Sequence, residues 1–295
     1  MAAQGALTDR AIVPAWAQAP GVGPRYVHRP EWFGALVYDR ETCQYMPYDA
    51  RAAALLLGAA PADEAERAFA AGGAREGLLD AAGRPTARVT PARAAPGRLS
   101  APLTVYLGAT AGCNLACQHC QADAGGPAGA ALPLELARSL FRDQAEAGCM
   151  QVHVTGGEPT LHPALLALLD AALGHELNVL LTTNGLAVTP ALAEALADRA
   201  LRCVSVSVDG ADAASNDALR GAGAFEGALR GLGLLARHGP VGVTATFTPA
   251  LAGRLEELAR RCVDAGAASL TLRPALPAGR AARKSKRRVS KRNKR

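Results

Sequence analysis

Lysine is missing from the first 283 residues of this 295-residue chain. All four lysines, Lys284, Lys286, Lys291 and Lys294, fall after that point, and everything before them uses arginine alone. Aromatic residues are scarce, at 4%, and eight of the twelve precede residue 70. The remainder is therefore poor in the ring platforms that stack nucleic-acid bases. Long apolar runs are missing too. No stretch of ~18 consecutive apolar residues occurs, so no transmembrane helix is expected. The start, MAAQGALTDRAIVPAW, has no basic segment followed by an apolar run, which excludes a secretory signal and predicts a cytoplasmic protein.

The surplus of positive charge is local. RAARKSKRRVSKRNKR, residues 280–295, carries ten of the 32 Lys and Arg and no acid. Without it 22 basic residues face 26 acidic ones, a net of −4. The body is mildly acidic, and the tail is expected to be disordered. Its composition predicts that it is foreign to the ancestral design. Phosphate binding by ten such charges would be strong and salt-sensitive. A non-catalytic nucleic-acid-binding protein is therefore the alternative from outside enzymology, and nucleic acid is not expected as a partner of the body.

Seven cysteines are present, an odd number, and three of them sit in CNLACQHC: Cys113, Cys117 and Cys120. In a reducing compartment this favours metal or catalytic use over a disulfide framework. Cys43, Cys149, Cys203 and Cys262 are scattered and read as buried thiols.

Composition divides the chain. Residues 1–24 form a loose Ala/Gly/Pro arm. Residues 25–80 read as a small α+β domain: FGALVYD a strand, YMPYD a second extended piece, and ARAAALLLGAA and DEAERAFAAGG helices. Residues 81–100, rich in Pro, Arg and small residues, read as a linker. From 101 to 279 strands and helices alternate about every 30 residues, giving six strands and five helices. Such βα repetition predicts a parallel sheet with right-handed crossovers. A partial (β/α)6 barrel is expected, with a doubly wound sheet as the alternative. In both, active residues lie at the C-terminal ends of the strands.

Those ends carry an ordered series: the cysteine loop, then GGEP (Gly156, Gly157, Glu158, Pro159), TNG (with Asn184), SVDG (Ser207 to Gly210) and Arg273-Pro274. Three thiolates on one short loop can hold three corners of a cubane iron–sulfur cluster and leave the fourth iron open. A zinc site using His119 as fourth ligand is the competing reading. The adjacency of His119 and Cys120 makes that tetrahedron awkward.

This ordered set resembles the radical S-adenosylmethionine superfamily over residues 101–279. The resemblance implies a [4Fe–4S] cluster on Cys113, Cys117 and Cys120, with S-adenosylmethionine on the open iron. One electron would cleave the S–C5′ bond and release a 5′-deoxyadenosyl radical that abstracts hydrogen from a substrate. It also implies roles for single residues. His119 would stack beside the adenine. Gly156 and Gly157 would admit the methionine moiety, and Glu158 would pair with its ammonium. Asn184 would reach the carboxylate, Ser207 and Asp209 the ribose, and Arg273 an anionic group. Plain loop, turn or rim roles compete for His119, Glu158, Asn184 and Arg273. His153 and Cys203 read as packing residues.

The phrasing is similar to the branch that matures ribosomally made peptides, often with a C-terminal extension bearing further clusters. No extra cysteine follows Gly279, so one cluster is expected, on a barrel lacking its sixth helix and truncated at the C-terminus. The uncovered last strand puts stable, active folding in question. Residues 25–75 resemble the winged-helix-like domains that capture leader peptides, such as the D-type protein of pyrroloquinoline quinone biosynthesis. Tyr38, Tyr45 and Tyr48 would line a pocket beside an open strand edge. A domain that merely covers the barrel is the plainer reading. A peptide or protein substrate and a low-potential electron donor are the partners implied. A tetrapyrrole-modifying enzyme remains the alternative within the superfamily.

Overall fold

The computed structural model describes residues 23–91, 95–126 and 129–283. The arm up to residue 22 and the tail from Lys284 lie outside the described residues. The chain divides into two units, with the boundary between Ser100 and Ala101.

The first unit is a four-stranded sheet with two helices. Strands β1 (Tyr26–Glu31), β2 (Gly34–Asp39) and β3 (Gln44–Asp49) form an antiparallel meander, and β4 (Arg88–Val89) pairs parallel to β1. The order is β3-β2-β1-β4. Asp49 caps α1 (Ala50–Leu56) by accepting from Ala52 N, and Asp63 caps α2 (Glu64–Arg75) by accepting from Glu66 N. Tyr26, Val37, Leu56 and Leu78 make its core. Two expectations are corrected here. The segment 81–100 is not simply a linker, because Arg88 and Val89 complete the sheet. Tyr38 does not line an open pocket, because it is fully buried, its ring 4.6 Å from that of Tyr45.

The second unit is the expected run of βα repeats. Its strands are β5 (Val105–Thr110), β6 (Gln151–Gly156), β7 (Asn178–Thr183), β8 (Cys203–Ser207), β9 (Val241–Phe247) and β10 (Ala267–Pro274). Neighbours are parallel and the order is strictly sequential, β10-β9-β8-β7-β6-β5. A doubly wound sheet reverses its strand order at a switch point; this one never does. The architecture is therefore the partial barrel, open between β5 and β10.

Alternation along the strands separates the two faces. Val152, Val154, Val179, Leu181, Val206, Val243 and Ala245 join the buried core with side chains from the helices. These helices are α3 (Leu134–Glu146), α4 (Leu165–Gly174), α5 (Pro190–Ala197), α6 (Ala213–Arg220), α7 (Ala224–Ala236), the short α8 (Pro249–Ala252) and α9 (Leu255–Asp264). The intervening residues Thr155, Thr182 and Ser207 face a cavity on the other side. Helix α6 was not expected as a separate element. Asp212 and Ser215 form a capping box that starts it, and Gly221, at φ +121°, ends it. Leu272 of β10 is 42% exposed.

Candidate active site

The loop after β5 folds back on itself. Cys113 N donates to Gly126 O at 2.9 Å and Ala111 N to Ala130 O at 2.9 Å. A second clasp comes from α6, where Gln118 N donates to Leu219 O at 2.7 Å. This presents Cys113, Cys117 and Cys120, all half-buried, to one cavity of about 480 Å³. That volume lies in the range of small-molecule sites. His119, Gly156, Gly157, Glu158, Asn184 and Ser207 line the same cavity. Asp209 and Arg273 stand outside this lining.

The donor set, three thiols facing one cavity with the His119 ring turned to Asp209, matches what a cubane with one open iron needs. Among the described residues no three His, Cys, Asp or Glu side chains converge on one metal position. A cubane places its irons at separate corners and needs its thiolates spread apart. His119 is also committed elsewhere, with Nε2 2.9 Å from Asp209 Oδ2. Burial pushes the Cys113 and Cys117 thiols up, so their ionisation depends on a positive partner such as bound iron. The amide of Leu115 faces Cys113 Sγ at 3.4 Å, the kind of sulfur contact that tunes a cluster.

Glu158 is almost wholly buried, and its carboxylate is largely used by the protein. Oε1 accepts from Thr160 N at 3.0 Å, Thr160 Oγ1 at 2.6 Å and Thr183 Oγ1 at 2.6 Å, while Oε2 accepts from Asn184 N at 2.7 Å. Each carboxylate oxygen offers about two acceptor sites, so Oε2 retains one beyond the bond from Asn184 N. Asn184 spends its amide on Asn114 Oδ1 at 2.6 Å and accepts from Leu186 N at 3.0 Å. It ties the TNG turn to the cysteine loop.

The two glycines, which line the cavity, also pack against the cysteine loop. A side chain on Gly157 would overlap the carbonyl of Gly112, and one on Gly156 (φ +125°) would stand 2.7 Å from Thr110 O. The space is filled by the backbone of the cysteine loop itself. Gly157 N donates to Thr110 O at 2.7 Å and Glu158 N to Gly112 O at 2.8 Å, locking GGEP beneath the loop.

Asp209 is also corrected. It lies beyond the end of β8, and its side chain is sealed from solvent. Oδ2 takes Arg220 Nε at 2.6 Å and His119 Nε2 at 2.9 Å, while Oδ1 takes Thr246 N at 2.5 Å. The acid orients His119 and anchors Arg220, and of the expected ribose pair Ser207 is the one on the cavity wall. Burial pushes the Asp209 carboxyl up; the Arg220 charge and the His119 hydrogen bond outweigh it and hold it well below the usual carboxylate range. Arg273 reaches across the barrel opening, its Nη1 3.4 Å from Tyr106 Oη.

Sequence reasoning missed Arg220 and Tyr106, and gave no individual role to Thr183 or Asn114, which lie within its TNG and CNLACQHC motifs. Arg220 lies in NDALRG, which has no motif spacing to mark it. Tyr106 was visible as a lone polar ring in an apolar strand. It is 60% exposed, lines the cavity, and packs 5.1 Å from the ring of His153.

A sequential parallel partial barrel with three thiols and a buried acid at its C-terminal rim defines a class of cluster-bearing enzymes. The family model for the radical SAM superfamily matches residues 108–262, and the chain belongs to that superfamily. It is 35% identical over 184 residues to the mycofactocin maturase MftC of Mycobacterium tuberculosis, covering 62% of this chain and 47% of that one. It is 32% identical over 176 residues to the AdoMet-dependent heme synthase of Nitratidesulfovibrio vulgaris, covering 59% of this chain and 48% of that one. The chain thus spans about half the length of these curated relatives. Among solved structures, Streptococcus suis SuiB bound to its precursor peptide SuiA superposes with a TM-score of 0.66 at 18% identity, over 87% of this chain and 63% of that one. This last likeness concerns the fold alone.

The superfamily uses a [4Fe–4S] cluster and S-adenosylmethionine. The residues that would hold the cluster are Cys113, Cys117 and Cys120. Those facing S-adenosylmethionine would be Glu158, Ser207, His119 and the backbone about Gly156 and Gly157.

Proposed function

We propose that this chain cleaves S-adenosylmethionine reductively and uses the radical to modify a ribosomally made peptide or protein. The observation that carries the chemistry is the gathering of three half-buried thiols, Glu158 and Ser207 on one cavity. A cluster held by Cys113, Cys117 and Cys120 would supply the one electron, drawn from a low-potential donor, that reductive cleavage of the S–C5′ bond to methionine and a 5′-deoxyadenosyl radical needs. The chain's own residues do the rest. Glu158 Oε2 offers an acceptor to the ammonium, and Ser207 a hydroxyl to the ribose. Asp209 fixes the ring of His119. Such chemistry suits a reducing cytoplasm, where thiolates and a low-potential electron donor are maintained.

The peptide reading draws on MftC, a maturase by name, and on the SuiB fold, whose match is long enough to extend into the N-terminal unit. In that unit β3 is an edge strand with the half-buried Tyr45 and Tyr48 on it. An extended leader segment would pair with this edge through main-chain hydrogen bonds. Pro47 removes one donor from the strand, so pairing would run on either side of it. The heme synthase relative supports a second reading, a tetrapyrrole substrate.

Co-expression with a short peptide encoded beside the gene, followed by mass spectrometry, decides between them. A mass change on the peptide that disappears in a Cys117→Ala chain supports maturation. An unmodified peptide, together with turnover of a tetrapyrrole by the reconstituted chain, supports the second.

A further inference from the structure

The run starting at Arg280 reads from composition as a disordered basic tail, yet its first residues are folded onto the cysteine loop. Residues 279–283 are helical. Gly279 has φ +53°, and a side chain there would overlap the carbonyls of Cys120 and Gln121. Glycine is what lets the backbone come flush against the loop. The next residue then grips it. Arg280 N donates to Cys120 O at 2.9 Å. Its Nε donates to Cys117 O at 2.8 Å, its Nη2 to Ala124 O at 2.6 Å, and its Nη1 lies 3.4 Å from Asp123 Oδ1. Arg283 pairs with the same Asp123.

These contacts land on the less firmly tied part of the loop. Cys113 is bonded to Gly126, and Gln118 to α6, but the link between Cys120 N and Cys117 O is long, at 3.3 Å. Asp123 sits in the left-handed region at φ +52°, a conformation that needs outside support in a residue with a side chain. The Arg280 side chain is 24% exposed, so most of the fork is enclosed. A planar guanidinium suits this position, since it addresses several acceptors at fixed angles and cannot lose its charge.

We propose that Arg280 is a positioning residue whose side chain fixes the carbonyls of Cys117 and Ala124 on either side of Cys120, and so the separation of the Cys117 and Cys120 sulfurs, while placing a permanent positive charge beside the cluster. The proposal rests on the cysteine loop being the cluster site and is independent of the substrate class. It makes the start of the basic segment part of the metal centre.

The test uses the full chain with Arg280→Ala, Arg280→Gln and Arg280→Lys. Amide hydrogen exchange on the cluster-free protein comes first. All three variants, the alanine one most, are expected to exchange faster across residues 117–124, with β7 unchanged. After anaerobic reconstitution, the alanine variant should lose iron to a chelator on the order of tenfold faster than the parent, as removal of outer partners does at other metal sites. The lysine variant keeps the charge without the fork. It should share the faster loss and retain the parent midpoint potential, whereas the alanine and glutamine clusters shift to lower potential. Unchanged exchange and unchanged iron release in the alanine variant would overturn the positioning role. Equal potentials in the lysine, glutamine and parent proteins would overturn the charge role. If the alanine variant unfolds, seen as exchange throughout β7, the other two carry the same tests. If no protein retains iron, the cluster assignment itself fails, while the exchange comparison still judges the clamp.

Discussion

Arg220 donates its Nε hydrogen to Oδ2 of Asp209 at 2.6 Å, and the carboxylate that receives it is sealed from solvent. One residue ends α6, the other follows β8, and their contact brings the helix to the rim on which His119 stands. Replacing Arg220 with Ala leaves a buried charge without its main partner, which costs about 3–5 kcal/mol. Urea unfolding at neutral pH measures the loss. Removing Arg142 from its exposed pair with Asp143 should change stability by less than ~1 kcal/mol.

The same pair sets an acid limit. The folded chain binds the Asp209 proton less readily than the unfolded chain does. Its contribution is therefore complete above the ordinary carboxylate value of about 4 and disappears as pH falls below it. Acid unfolding followed by circular dichroism should begin at higher pH in Arg220→Ala than in the parent.

His153 titrates in the opposite chemical sense but with the same slope. Burial, and then the charge of Arg273, push its pKa down to about 4. Its Nε2 lies 2.6 Å from Thr182 Oγ1. The unfolded ring binds a proton near pH 6.5 and the folded one does not. Stability is full above about 6.5 and falls as pH drops toward 4, by an amount on the order of a few kcal/mol. A His153→Gln chain should lose this slope. Proton NMR should show an imidazole resonance in the parent with its midpoint near 4.

Gly157 supports the loop by having no side chain. Gly157→Ala must push Gly112 away and break the bonds from Gly157 N to Thr110 O and from Glu158 N to Gly112 O. We expect a loss of about 2 kcal/mol or more, in the range of overpacking. Iron retention should fall sharply after reconstitution. An alanine at Gly174, which meets no atom within 4 Å, is the control and should be neutral or slightly stabilising.

The barrel was legible because its signals are repeated: six apolar strands, five helices and a polar turn after most strands point to one rim. The cysteine loop was legible through its spacing. What escaped has local physical reasons. Strand β1 contains Arg29 and Glu31, whose ion pair at 2.8 Å is fully buried, so its polar residues masked an internal strand. Strand β4 has two residues, too few to show a period. Tyr38 and Tyr45 look equivalent in the sequence and share a face, because the register pairs them across β2 and β3; what separates them is that Tyr38 lies on the inner strand, fully buried, and Tyr45 on the half-buried edge. Asp209 was expected on the cavity wall by alternation with Ser207, but alternation stops where the strand does. Arg280 was hidden because its neighbours in sequence belong to a basic tail, while its neighbours in space are the cysteines.

The most direct measurement is cleavage of S-adenosylmethionine by the anaerobically reconstituted chain under a strong reductant, with iron determined on the same sample. The account predicts about four irons per chain, release of 5′-deoxyadenosine and methionine, and loss of both iron and cleavage in Cys117→Ala but not in Cys262→Ala. Full cleavage and unchanged iron in Cys117→Ala would contradict it.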